Sequence, residues 1–127
     1  MALILDTNAL SAYADADPAI LDPVRKAAVV SLPVIVLGEY RLGIQESRHR
    51  AQYEAWLDEW IARTIILPVD METARFYASI GFDLKKRGKP IPVNDLWISA
   101  LCLQHKMPLL SRDHHFDVIP TLRRISW

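Results

Sequence analysis

Four carboxylates in this 127-residue chain fall beside apolar runs. Asp6 directly follows Ala2-Leu3-Ile4-Leu5. Glu39 lies inside Val34-Ile35-Val36-Leu37-Gly38-Glu39. Asp95 opens Asn94-Asp95-Leu96-Trp97-Ile98-Ser99-Ala100, and Asp113 follows Leu109-Leu110. An unpaired charge next to a buried element is costly, so acids in such places are capped, paired with a cation or bound to metal. Each has an ordinary structural account when taken alone. Asp6 serves as an N-cap, Asp95 favours a helix dipole, Glu39 pairs with Arg41 or Arg48, and Asp113 makes a turn. Taken together they describe a pocket of hard oxygen ligands suited to Mg²⁺ or Mn²⁺. Such an ion polarises a phosphoryl oxygen and lowers the pKa of its bound water. Converging acids of this kind fit metal-dependent phosphodiester hydrolysis, and their mutual repulsion couples metal binding to local stability.

The elements that must position these acids alternate in type. The short apolar run Ala2–Leu5 reads as a strand buried on both faces, ending at Asp6-Thr7-Asn8, which caps a helix. Asp17-Pro18 starts a second helix to about Ala28. Residues 29–32 form a strand, and Pro33 opens a helix over Val34 to Gln45. Tyr53, Trp56, Leu57, Trp60 and Ile61 mark one apolar face of a helix within residues 48–63. Ile65-Ile66-Leu67 is a strand. Asp70 caps a long helix to about Arg87 with Ala74, Tyr77, Ala78, Gly81 and Leu84 on one face, and Gly88 stops it. Asn94 caps a central helix from Asp95 to His105. Leu109-Leu110 and residues 123–126 are the last strands. This order implies an α/β sandwich on a small, mostly parallel sheet. Ligands in such folds sit beyond the carboxyl ends of the strands, which puts Asp6 and the Ser111–Asp113 turn on one edge.

Size and composition bound the reading. The chain reads as a single domain, residues 1–127, of ordinary globular balance, 51% hydrophobic and 24% charged. It carries no apolar run of membrane-span length and no signal-peptide pattern, and its one cysteine, Cys102, forms no internal disulfide. The expected compartment is therefore the cytoplasm. Lys and Arg number 15, as do Asp and Glu. A neutral total does not suggest nucleic acid by bulk charge, although acids gathered around metal leave the remaining surface more basic.

Leu5-Asp6-Thr7-Asn8, Gly38-Glu39 with Gly43, Asn94 to Ala100, Ser111-Arg112-Asp113 with Phe116, the ending Phe116 to Leu122 and Trp127 occur in one order. The set resembles the PIN-domain ribonucleases, in particular the VapC-like toxins of bacterial toxin–antitoxin pairs, along essentially the whole chain. The resemblance implies a PIN-like α/β/α sandwich and a Mg²⁺- or Mn²⁺-dependent endoribonuclease. It also implies a toxin role, a cognate antitoxin, an RNA substrate and a homodimer without membrane attachment. Asp6, Glu39, Asp95 and Asp113 match the family's acidic quartet, with Glu39 acting through water. Thr7, Asn8 and Ser111 match polar positions that orient the acids or metal-bound water. Thr121 stands where the family often has Gly, a matter of turn geometry.

The remaining polar and aromatic residues have two accounts each. Lys85, Lys86 and Arg87, in the run that continues through Gly88 to Lys89, either complement a helix dipole or contact RNA phosphates. Arg112 is a phosphate contact or a partner for the carboxylates. His114-His115, close to the proposed site, forms a plain loop or contacts RNA, and Asp117, an extra acid near the site, is a surface residue or a fifth ligand. Cys102 reads as core. Trp56 and Trp60 pack as core or line a groove for a partner. Phe76 and Ile80 serve a dimer or the core. Two rival functions fit less well. A phosphoacceptor domain needs adjacent acids after the first strand and a late Lys, which are missing. A non-catalytic PIN-like RNA-binding or scaffolding protein has no need of an intact quartet.

Overall fold

A computed structural model describes residues 1–127. Its centre is a five-stranded sheet in which every pairing is parallel, with strand order β3-β2-β1-β4-β5. The strands are β1 (Ala2–Leu5), β2 (Val29–Pro33), β3 (Ile65–Leu67), β4 (Leu109–Leu110) and β5 (Arg124–Ile125). β1 is central because its apolar run is closed on both sides: Leu3, Ile4 and Leu5 are buried, as are Leu109 and Leu110 beside it. The register Leu5↔Leu110 brings the ends of β1 and β4 together, so Asp6 and Ser111 leave the sheet side by side. A phosphoacceptor fold of the 2-1-3-4-5 type places β3 next to β1. Here β4 takes that position, and the rival reading fails on topology.

Six helices complete an α/β/α arrangement: α1 (Thr7–Ala14), α2 (Pro18–Lys26), α3 (Val34–Gly43), α4 (Arg50–Ile61), α5 (Met71–Lys86) and α6 (Val93–His105). No helix is long and apolar enough to cross a membrane. Asp6 caps α1 by accepting from the Ala9 amide, and Asp17 caps α2 with Pro18 at its first position. Asp70 and Thr73 form a reciprocal capping box on α5. Gly88, at φ 66°, ends α5. Its amide donates to Lys85 O and that of Lys89 to Leu84 O, a left-handed closure that only glycine adopts cheaply.

Three expectations need correction. The face α5 buries runs through Thr73, Ile80 and Leu84 with Tyr77, while Ala74 and Ala78 are exposed. Thr73 is buried because its hydroxyl is satisfied by Asp70 and Gln104, which turns the helix away from the all-apolar phasing. Ile80 accordingly belongs to the core of this chain, with Phe76 packed against it. α6 begins at Val93 after Pro92, and Asn94 lies inside its first turn with no cap bond. A one-turn 3-10 segment, His114–Val118, follows β4 where a loop was expected, capped by Asp113.

Candidate metal centre

Each acid reaches the site by a different route. Asp6 is placed by the end of β1 and is 5% exposed. Its Oδ1 accepts from the Ala9 amide at 2.8 Å, so the helix cap also fixes the carboxylate. Burial pushes its carboxyl above the usual value. The Ser111 hydroxyl and Ala9 amide oppose that shift, and the charges of Asp95 and Asp113 add to it. Asp95 stands in the first turn of α6. Burial raises its carboxyl too, with His115 opposing and Asp113 and Glu39 adding. Asp113 caps the 3-10 turn, its Oδ1 accepting from the His115 amide at 2.8 Å. Glu39 arrives from α3, and Thr7 Oγ1 donates to its Oε1 at 2.8 Å. The four acids thus reach one neighbourhood from the end of β1, α3, α6 and the turn after β4; Asp95 and Asp113 bring ligand oxygens within 4.8 Å of each other, whereas Asp6 and Glu39 stand outside that close group and act on it through charge.

Of the polar residues expected to support them, Thr7 holds Glu39. Ser111 is fully buried, and its Oγ accepts from the Asp113 amide at 2.9 Å. Asn8 is exposed on the first turn of α1 with no side-chain hydrogen bond. Arg112 turns away from the carboxylates. Its Nε donates to the Trp127 carbonyl at 2.8 Å, and its guanidinium lies 4.6 Å from the Trp127 ring centre. Arg87 is tied to Asp83 and to the Val118 carbonyl, and Lys86 lies over Phe82. Among that basic run, Lys89 reaches a recess of about 550 Å³ beside Asp113, which Ile91, Arg112, His114 and His115 also line. The Schellman turn at Gly88 redirects the chain and delivers Lys89 there.

His115 was expected to be a loop residue. Its Nδ1 lies 3.4 Å from Asp95 Oδ2 and 3.2 Å from Asp113 Oδ1. The three side chains offer ligand atoms all within 4.8 Å of one another. Its spacing of two after Asp113 was the one available signal, and it needs the tightness of a 3-10 turn to become meaningful. Neighbouring His114 points elsewhere, to Asp117 at 2.9 Å, and Asp117 is in turn held by Arg124 at 2.7 Å. This pairing, the Arg124 hydrogen bonds first, holds the Asp117 carboxyl down at about 2.

A divalent cation suits the arrangement. No Lys or Arg pairs with Asp6, Glu39, Asp95 or Asp113, although every other close acid–base contact in the molecule is ordinary. A buried carboxylate among like charges needs compensation, and a set of carboxylate oxygens with one imidazole is a donor set for hard or borderline ions.

Comparison with known proteins follows the same line. Residues 3–122 match the PIN domain family. The chain is 33% identical over 93 residues to ribonuclease VapC5 of Mycobacterium tuberculosis, a stretch covering 71% of this chain and 68% of that protein. The fold superposes on the VapBC-5 toxin–antitoxin complex of Mycobacterium tuberculosis with TM-score 0.78 at 30% identity, covering 99% and 98% of the two chains. It superposes on the DNA-bound VapBC2 complex of Rickettsia felis with TM-score 0.89 at 22% identity, covering 100% and 99%.

Proposed function

The chain belongs to the PIN-domain family, and on that premise we propose that it is the ribonuclease toxin of a toxin–antitoxin pair. The observation that carries the reading is the gathering of Asp6, Glu39, Asp95 and Asp113 on one sheet edge with no Lys or Arg paired to any of them and only His115 between Asp95 and Asp113. Similarity to a VapC ribonuclease and to structures of toxin–antitoxin complexes supports it. The whole chain acts as one PIN-like unit on RNA in the cytoplasm, and a cognate antitoxin restrains it.

Asp6, Asp95 and Asp113 hold the divalent ion, Mg²⁺ or Mn²⁺, and Glu39 completes the set. When bound, that ion supplies Lewis-acid polarisation of the phosphodiester and a water of lowered pKa. The protein's own contribution is preorganisation. The Ala9 amide locks Asp6, the α6 first turn presents Asp95, and the 3-10 cap fixes Asp113. Thr7 occupies one oxygen of Glu39, leaving the other to accept from a water. Lys89, exposed at the recess, meets an RNA phosphate and positions the strand.

Cleavage of total bacterial RNA by the purified, partner-free protein tests this reading. Discrete cuts are expected with Mn²⁺, none with EDTA, and none with Asp95→Asn. Cuts that persist in Asp95→Asn would sink it.

A further inference from the structure

The imidazole of His115 stands between two carboxylates, in a long hydrogen bond with Asp95 and in contact with Asp113. Charge-assisted N–H···O contacts run at about 2.7–2.9 Å, whereas His115 Nδ1 lies 3.2 Å from Asp113 and 3.4 Å from Asp95. Two adjacent ligands, each about 2.1 Å from a six-coordinate ion, are about 3.0 Å apart. The observed separations are close to that spacing. The ring is also held by the feature that holds Asp113, because the His115 amide donates to the Asp113 carboxylate. His114 is committed to Asp117, and Arg124 packs against it. Only one of the two histidines is therefore placed for the acids.

We propose that His115 is itself a ligand of the divalent ion, through Nδ1, alongside Asp95 and Asp113. The inference rests on the metal-dependent reading above. Its consequence is selectivity. An imidazole nitrogen suits Mn²⁺ better than Mg²⁺, which favours an all-oxygen shell. This protein should therefore prefer Mn²⁺ more strongly than four carboxylates alone would dictate.

The test is pulsed electron paramagnetic resonance on the full chain loaded with Mn²⁺. Wild type is expected to show the ¹⁴N modulation of a directly bound imidazole, and His115→Ala and His115→Gln are expected to lose it. Calorimetric titration of both variants should show Mn²⁺ affinity falling about tenfold, with Mg²⁺ affinity changing much less. The Gln variant keeps the turn's volume and polarity, and circular dichroism reports whether each variant is folded. Bound Mn²⁺ without nitrogen modulation in wild type, or modulation that survives in both variants, overturns the His115 assignment and leaves the metal-dependent reading standing. Failure of wild type to bind Mn²⁺ overturns both.

Discussion

Thr7 illustrates how much of the site rests on single hydrogen bonds. Its hydroxyl is the side-chain hydrogen-bond donor that holds Glu39. Partners that orient a ligand or its water commonly matter tenfold or more. Thr7→Val, which keeps shape and loses the donor, should slow RNA cleavage by roughly tenfold. Thr7→Ser should restore most of it, as steady-state assays on a fluorogenic RNA would report. The acids were legible because residue type next to an apolar run carries a physical cost that demands an explanation. Side-chain direction was not legible. Arg112 and His115 lie three residues apart, yet Arg112 turns to Trp127 and His115 turns to Asp95 and Asp113. That difference depends on a 3-10 turn and on the position of the chain's last residue in space, neither of which local sequence encodes.

At the scale of elements, periodicity was reliable where one face is purely apolar. α4 follows the expected phase: Leu57 is fully buried, and Tyr53, Trp56, Trp60 and Ile61 pack against the core while remaining part-exposed. Trp56 and Trp60 stack at 5.5 Å, and Tyr13 closes the cluster at 5.4 Å from Trp60. The two tryptophans thus pack against the core and on each other while staying part-exposed. We expect Trp56→Ala with Trp60→Ala to weaken antitoxin binding while the chain stays folded. Leu57→Ala should do the reverse, costing about 2–5 kcal/mol of stability. Urea unfolding beside an antitoxin titration separates the two. On α5 periodicity misses the phase because a buried threonine does not register as apolar. The start of α6 escapes it because Pro92 ends the preceding loop before Asn94 can cap.

For the whole molecule, the centre is a source of instability until metal arrives. Asp6 and Asp95 have folded-state pKa values above their ordinary ones, burial being the main cause. An acid raised in this way binds its proton more tightly when folded. Its contribution therefore opposes folding at neutral pH and fades as pH falls through the raised value toward about 3.9. Metal-free Asp95→Asn should consequently melt above metal-free wild type at pH 7, with the gap narrowing toward pH 4. Mn²⁺ should reverse the order. Binding at 100 times Kd adds about 2.7 kcal/mol to wild type, and the variant should gain far less. Differential scanning fluorimetry with and without EDTA reads both effects, and an apo variant less stable than apo wild type would show that Asp95 is a structural partner instead.

The parallel register of β1 with β4 also has a temporal meaning. Ile4 pairs with Leu109 and Leu5 with Leu110, so the two strands that seat Asp6 and Asp113 are joined by more than 100 intervening residues. Long-range parallel pairing is among the slowest steps a chain can take. As the polypeptide is synthesised, Asp6 emerges early and waits through six helices for the segment that completes its surroundings. Through most of that interval the nascent chain holds the pieces of a nuclease without the nuclease, and the activity switches on late, with the closing of the sheet's centre.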